Sequence, residues 1–216
     1  DTFINGAKNL KTGGVDGYLA ENFDADKLMR FFADSGVKYF FITAKHHDGF
    51  CLWDSKYTDR NSMKMGPKRD LLRELTDAAR ANGMRIGFYY SFYEWHNPSY
   101  AKQGENHRYD GYFTPGDEDG DGVAGEYVDD FMIPQIKELI DNFQPDYLCF
   151  DGEWDRGYVF WRSRQIAAYY FNQAARRGQQ VVINDRFGGG KDGTPNTRGI
   201  YGDFYHVEYV ADIVRS

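Results

Sequence analysis

The stretch KHHDGF (45–50) sets two histidines, an aspartate and a glycine directly after an apolar run, YFFITA (39–44). The chain has only five histidines, so a pair at the end of a run that reads as a buried strand points to a site. The alternative is a surface loop that happens to hold them. Neighbouring residues of an extended chain face opposite ways, so His46 and His47 share a pocket only where the backbone turns; Gly49 allows that turn. Otherwise one is a packed structural histidine and the other is solvated. Histidines that bind a metal from a strand end sit one residue apart so that both face inward. This pair does not, and His96, His107 and His206 show no ligand spacing, so no metal site is expected.

Asp151 follows the apolar run YLCF. A carboxylate at a dry strand end is costly unless it is partnered or used in chemistry. An aspartate before glycine also caps turns, and position alone does not separate the two. Arg186, after VVIND, has the planar fork that clamps a carboxylate or a substrate oxygen, or that pairs structurally with Asp185 or Asp203. Tyr89, Tyr90, Glu94 and Trp95 in FYYSFYEW line a pocket or belong to the core. Ser91 is a nucleophile only beside a base, and no GxSxG elbow supports that.

The elements that must position these residues repeat. Helices are expected over 24–36, 69–83, 126–143 and 161–178, and strands over 37–44, 84–91, 145–154 and 180–189. Asp24 fits an N-cap, Gly83 closes the second helix, and Pro134 kinks or breaks the third. Short strands, apolar on both faces and alternating with helices, predict an α/β fold with a parallel sheet. Polar clusters follow every strand: HHD, YYS…EW, FDGEW and NDR. A (β/α)8-like TIM barrel brings all such clusters to one mouth, whereas an open doubly wound sheet collects ligands only at its switch point. The barrel is therefore the expected architecture, and the absence of GxGxxG and GxxxxGK[ST] argues against a nucleotide site. The acidic GDEDGDG (116–122) starts like a calcium loop, but its twelfth position is Val128, which favours a solvated turn. GGGKDGTPNTRG (188–199) is a glycine-rich loop.

Composition narrows the partners. A net charge of −7 with no basic stripe argues against nucleic acid. No apolar run is long enough to cross a bilayer. Two cysteines, Cys51 and Cys149, build neither a disulfide framework nor a cysteine-rich zinc module. Aromatics make up 18% of the chain, which suits both a packed core and a sugar cleft, where a ring face covers a pyranose.

KYFFITAKHHDGFCLWDS, RDLLREL…GMRIGFYYSFYEW, PDYLCFDGEW and VVINDRFGG follow the order and spacing of the α-L-fucosidases, a retaining glycoside hydrolase family. The resemblance spans roughly residues 22–189. It implies an irregular barrel, usually followed by a β-sandwich, that removes terminal L-fucose from fucosylated glycans without a metal or organic cofactor. By the matched motifs, Asp151 is the nucleophile, and His46, His47, Tyr89 and Arg186 contact or orient the sugar. Trp53, from the LW pair after KHHDGF, joins them as substrate-binding. The paired histidines are expected to donate hydrogen bonds to fucose hydroxyls. Glu208 in GDFYHVEYV is the matched general acid/base, flanked by Tyr205, Val207 and Tyr209; Glu153 is its rival and Glu94 a weaker one.

The sequence departs from the family at Cys149, where the usual residue is Trp. It also lacks the phenylalanine-rich segment ending in His–Trp–Gly of the family's first strand and the Glu–Trp pair that follows that strand, and its carboxyl end, VADIVRS, falls short of the last strands. The expectation is a single catalytic-barrel region over 1–216, partial at both ends and without the sandwich, since a barrel takes about 250 residues. The resemblance favours a secreted, periplasmic or lysosomal protein. The competing readings are a non-catalytic carbohydrate-binding fragment and a different barrel glycosidase.

Overall fold

Asp24 and Asp70 each start a helix by turning a carboxylate back onto the backbone. Asp24 Oδ1 accepts from Lys27 N at 2.9 Å and Asp70 Oδ1 from Arg73 N at 2.8 Å, satisfying amides that have no partner within the helix. The structure, a computed structural model, describes residues 14–101, 125–153, 158, 160–186 and 202–204. In chain order its main elements are α1 (Ala25–Asp34), β1 (Tyr39–Lys45), α2 (Leu71–Ala81), β2 (Arg85–Ser91), α3 (Ile133–Phe143), β3 (Tyr147–Asp151), α4 (Ser163–Arg176) and β4 (Val182–Ile183). The helical turn Pro98–Ala101 lies between β2 and α3. The expected third helix is two pieces: a π-helical stretch, Gly125–Met132, gives way to α-helix at Ile133. Pro134 sits in the first α-helical turn, at the junction where the π-helical stretch ends.

The four strands are all parallel and lie in sequence order, β1-β2-β3-β4. A doubly wound sheet would reverse its order at a switch point. This order is that of consecutive barrel strands, and the described residues form an arc of a barrel that does not close. The register sorts the side chains. Phe41, Gly87, Tyr147 and Val182 share one level of the inner face, Thr43, Tyr89 and Cys149 the next, and Ser91 with Asp151 the top. Gly87 has no side chain in a place where a Cβ would lie 2.9 Å from the Phe41 ring, so Phe41 and Tyr147 stack across it at 5.1 Å.

The outer face is the core. Ile86, Phe88, Tyr90, Leu148, Phe150 and Ile183 are buried against α2, α3 and α4, which contribute Leu72, Leu75, Ile136, Leu139, Phe143, Ile166 and Tyr170. Phe88 meets Phe143 edge to face at 5.7 Å. Each such side chain contributes roughly 1.5–3 kcal/mol by leaving water. Strands covered on both faces were expected. Instead the inner face stays open at its lower end, with Tyr39 69% and Phe41 40% exposed, because no element among the described residues crosses it.

Candidate active site

The site begins with an irregularity in β1. Thr43 pairs with Tyr89, but the register then slips so that Lys45 pairs with Tyr90. A bulge of this kind adds a residue and re-aims the side chains beyond it. Lys45 therefore joins Tyr90 on the buried side, its Nζ 4.7 Å from the Tyr90 ring centre, and the next residue, His46, swings inward. The His46 ring stacks on Tyr89 at 5.3 Å, nearly parallel. The chain turns at once, Gly49 N donating to His46 O with φ +73° at Gly49, and the two imidazoles come to 4.1 Å. The turn that the histidine pair needs is present.

Lys45 is fully buried and needs a counter-charge, which Glu94 supplies at 2.7 Å. The other oxygen of Glu94 accepts from His96 N at 2.9 Å. The ion pair thus ties the loop after β1 to the loop after β2, and Trp95 N adds a 2.7 Å bond to His47 O. The His47 ring lies edge-on between Tyr93 at 5.5 Å and Trp95 at 5.2 Å, with Nδ1 2.5 Å from Ser91 Oγ. Burial, then His46, Lys45 and Arg186, lowers the His47 pKa to about 3; burial also lowers that of His46. Both rings are neutral near neutral pH.

Asp151 ends β3 beside Ser91 and is 9% exposed. Tyr89 Oη donates to its Oδ2 at 2.5 Å, and Arg186 Nη2 lies 2.9 Å from its Oδ1, an ion pair without hydrogen-bond alignment. Burial and the neighbouring Asp151 push the Tyr89 phenol pKa up, so Tyr89 remains a donor. The backbone crosses closely here. Gly152 has φ +80°, and a Cβ would fall 2.5 Å from Tyr93 N, so only glycine lets β3 leave past the β2 loop. Glu153 follows, 5% exposed, with Oε1 3.6 Å from Arg186 Nε and its backbone carbonyl accepting from Trp161 Nε1. Burial pushes its pKa up to about 7, against the opposing pull of Arg186. One guanidinium therefore spans two carboxyl groups. Asn184, fully buried, holds β4 in place by accepting from Phe150 N at 2.8 Å and donating to Phe150 O at 2.9 Å, which sets Arg186 two residues on.

Four strand ends thus bring together a neutral histidine pair, a tyrosine hydroxyl, an aspartate and an arginine, a set of directed hydrogen-bond groups around one carboxylate. The family model for α-L-fucosidase matches residues 13–211. The chain belongs to the α-L-fucosidase family. It is 34% identical to human plasma α-L-fucosidase over 175 residues, 80% of this chain and 34% of that protein. To a putative α-L-fucosidase of Caenorhabditis elegans it is 32% identical over 189 residues, 87% of this chain and 36% of that one. Among solved structures, an α-L-fucosidase from Bacteroides thetaiotaomicron superposes with a TM-score of 0.71 at 28% identity, covering 88% of this chain and 41% of that one. A trapped covalent intermediate of an α-L-fucosidase from the same organism, with 2-fluoro-fucosyl fluoride, gives 0.66 at 30% identity, covering 88% of this chain and 41% of that one. The chain spans about a third of the length of these curated relatives and about two fifths of the solved ones.

Of the residues expected at the fucosidase site, His46, His47, Tyr89, Asp151 and Arg186 converge. Trp53 does not. It is 1% exposed in the core, and its indole N–H donates to Glu138 Oε2 of α3 at 3.0 Å, so it braces the loop after β1 and presents no face to a sugar. Glu94 is committed to Lys45 and is unsuited to carry a proton to a substrate. Glu208, GDEDGDG and GGGKDGTPNTRG lie outside the described residues. Arg186 pairs with Asp151 and Glu153, and Asp203 is occupied in accepting from Ile183 N. Cys149 is 1% exposed, level with Tyr89 on the inner face, and accepts from Asn184 Nδ2 at 3.3 Å. Sequence reasoning missed Ser91 as a partner of His47, and it missed the Lys45–Glu94 pair; a lysine inside an apolar strand was the available signal. Among the described residues no cluster of histidine, cysteine and carboxylate side chains has the makings of a metal site. A cleft of about 830 Å³ between α1 and α2 contains none of the site residues.

Proposed function

We propose that the protein of which this chain is part is a retaining exo-α-L-fucosidase, with residues 1–216 contributing a single catalytic-barrel region. The observation that carries the reading is the setting of Asp151: one aspartate at the end of a parallel strand, steadied by a tyrosine hydroxyl and a guanidinium, beside two neutral histidines. In the proposed reaction an Asp151 carboxylate oxygen forms a bond to the anomeric carbon of a terminal α-L-fucose while the bond to the leaving-group oxygen breaks. A general acid gives that oxygen its proton. The same acid, now a base, then takes a proton from water as the water oxygen displaces Asp151 and frees fucose with its configuration retained. Arg186 and Tyr89 keep the carboxylate aimed, and His46 and His47 bind sugar oxygens. By resemblance Glu208 is the acid. Glu153 is the second reading, favoured by its burial and by a pKa pushed up to about 7, which keeps it protonated where an acid must be. A retaining pair stands roughly 5–5.5 Å apart. The substrate class is a fucosylated oligosaccharide or glycoconjugate.

The test is Asp151→Gly in the whole protein, assayed on an aryl α-L-fucoside. Hydrolysis should vanish, and azide should partly restore turnover with a fucosyl azide of inverted configuration as product. Near-wild-type activity in Asp151→Ala would overturn the assignment. Glu208→Ala and Glu153→Gln then separate the acids: loss confined to substrates with poor leaving groups marks the residue that protonates them.

A further inference from the structure

We propose that Ser91 is a positioning residue that fixes His47 as its Nδ1–H tautomer, so that His47 meets the sugar as a hydrogen-bond acceptor through Nε2. The proposal deepens the fucosidase reading and rests on it for the identity of the sugar, while the tautomer itself does not.

The argument is a count of protons. A serine hydroxyl has one. Ser91 Oγ lies 2.8 Å from the Tyr93 carbonyl oxygen, which can only accept, so the proton goes there. What Ser91 turns toward His47 Nδ1, 2.5 Å away, is a lone pair, and the contact is a hydrogen bond only if Nδ1 carries the hydrogen. Ser91 is fully buried at the end of β2, paired in register with Asp151, and no bulk water competes for its hydroxyl. The ring cannot swing away, because Tyr93 and Trp95 hold its edges and Trp95 N holds its carbonyl. A neutral imidazole has a single N–H, and with that hydrogen at Nδ1 the other nitrogen carries a lone pair. The nearby positive charges of Lys45 and Arg186 work against a second proton on the ring.

Selectivity is the consequence. Donation by both histidines was the expectation from the resemblance, and for His47 the direction reverses. An acceptor nitrogen requires a hydroxyl that donates. A sugar in which the hydroxyl facing His47 is replaced by fluorine or a methyl ether keeps an acceptor at most, and offers Nε2 no hydrogen. A site built to bond a hydroxyl rejects the analogue that lacks it, because a buried polar group is stranded.

Long-range proton–nitrogen correlation spectra of the protein labelled at the histidine ring nitrogens read the tautomer directly, without substrate. The expected result is a protonated Nδ1 and an unprotonated Nε2 for His47 near neutral pH. A protonated Nε2 in the wild type overturns the proposal, whatever the variants do. Ser91→Ala should shift the His47 signals toward the other tautomer, and Ser91→Thr, which keeps the hydroxyl, should restore them. Kinetically, Ser91→Ala should lower kcat/KM on an aryl α-L-fucoside about tenfold, the value of one hydrogen bond. It should also narrow the discrimination against monofluorinated fucosides, which a merely structural serine would not affect. An unchanged spectrum in Ser91→Ala overturns the proposal. A confirmed tautomer in a protein that turns over no fucoside would sink the fucosidase reading and the sugar-facing role, leaving only the tautomer.

Discussion

Glu153→Gln tests the electrostatics of the site without touching its shape. The Glu153 carboxyl is 5% exposed, its Oε2 has no hydrogen-bond partner among the described residues, and Arg186 is its nearest cation. Burial lifts its pKa from the ordinary 4.5 to about 7. An unfolded chain releases this proton at the ordinary value, whereas the folded protein holds it until about 7. Between those values the folded state binds more protons, so Glu153 makes stability fall as pH rises, the loss being complete above the higher value. At about 1.4 kcal/mol for each pH unit, the gap amounts to about 3 kcal/mol. A glutamine does not titrate. Urea unfolding of wild type and variant, at pH values from below the carboxyl range to above neutrality, should give similar stabilities at the acid end. Toward the alkaline end the variant should gain on the wild type by about 3 kcal/mol. Groups that titrate in both proteins cancel in the difference. If the two stability profiles run parallel, Glu153 is ionised throughout, and both its raised pKa and its candidacy as an acid are wrong.

Lys45→Met and Glu94→Gln should each cost roughly 3–5 kcal/mol in denaturant unfolding, since each strands a buried charge, and the double variant should cost less than their sum. A strictly additive double variant would mean that the pair is not coupled. Gly49→Ala places a Cβ 2.2 Å from Glu94 Oε1 at a φ of +73°, whereas Gly36→Ala at φ +87° meets nothing within 4 Å. Both should pay backbone strain of roughly 1–2 kcal/mol, but only Gly49→Ala should also depress activity by displacing the histidine turn. Cys51 and Cys149 are buried, with the Cys149 thiol pushed up to about 11 by burial and Cys51 higher still. An aromatic disulfide reagent should therefore titrate neither until the protein unfolds, and rapid reaction of the native protein would contradict their placement.

The repeating frame was legible because it rests on local rules. Asp24 and Asp70 cap their helices, Gly36 and Gly83 end two of them in left-handed turns, and the apolar runs became β1 to β3. The clustering of polar residues after strands separated a barrel from an open sheet, and the sequential strand order agrees. The bulge in β1 was not legible. Nothing in ITAKHH says that the register slips at Ala44, yet that slip buries Lys45 and turns His46 inward. Trp53 was misplaced for a related reason. Its neighbours in sequence belong to the site motif, but its partner Glu138 is 85 residues away on α3, and pairings of that range leave no local trace. In the sequence Ser91 reads only as a nucleophile without a base, whereas its hydroxyl contacts a histidine that the sequence places 44 residues earlier.

The strand order has a consequence for synthesis. Because β1, β2, β3 and β4 pair in the order in which they are made, the groups of the site leave the ribosome in a fixed succession: His46 and His47, then Tyr89 and Ser91, then Asp151 and Glu153, and Arg186 after them. A nascent chain that has laid down β3 already holds two carboxyls at one sheet end while their shared cation is still to be translated. The charge there is balanced only when Asn184 joins β4 to β3 and delivers the guanidinium. A ribosome stalled just short of Arg186 would carry His46, His47, Tyr89, Asp151 and Glu153 without the guanidinium that pairs with both carboxyl groups.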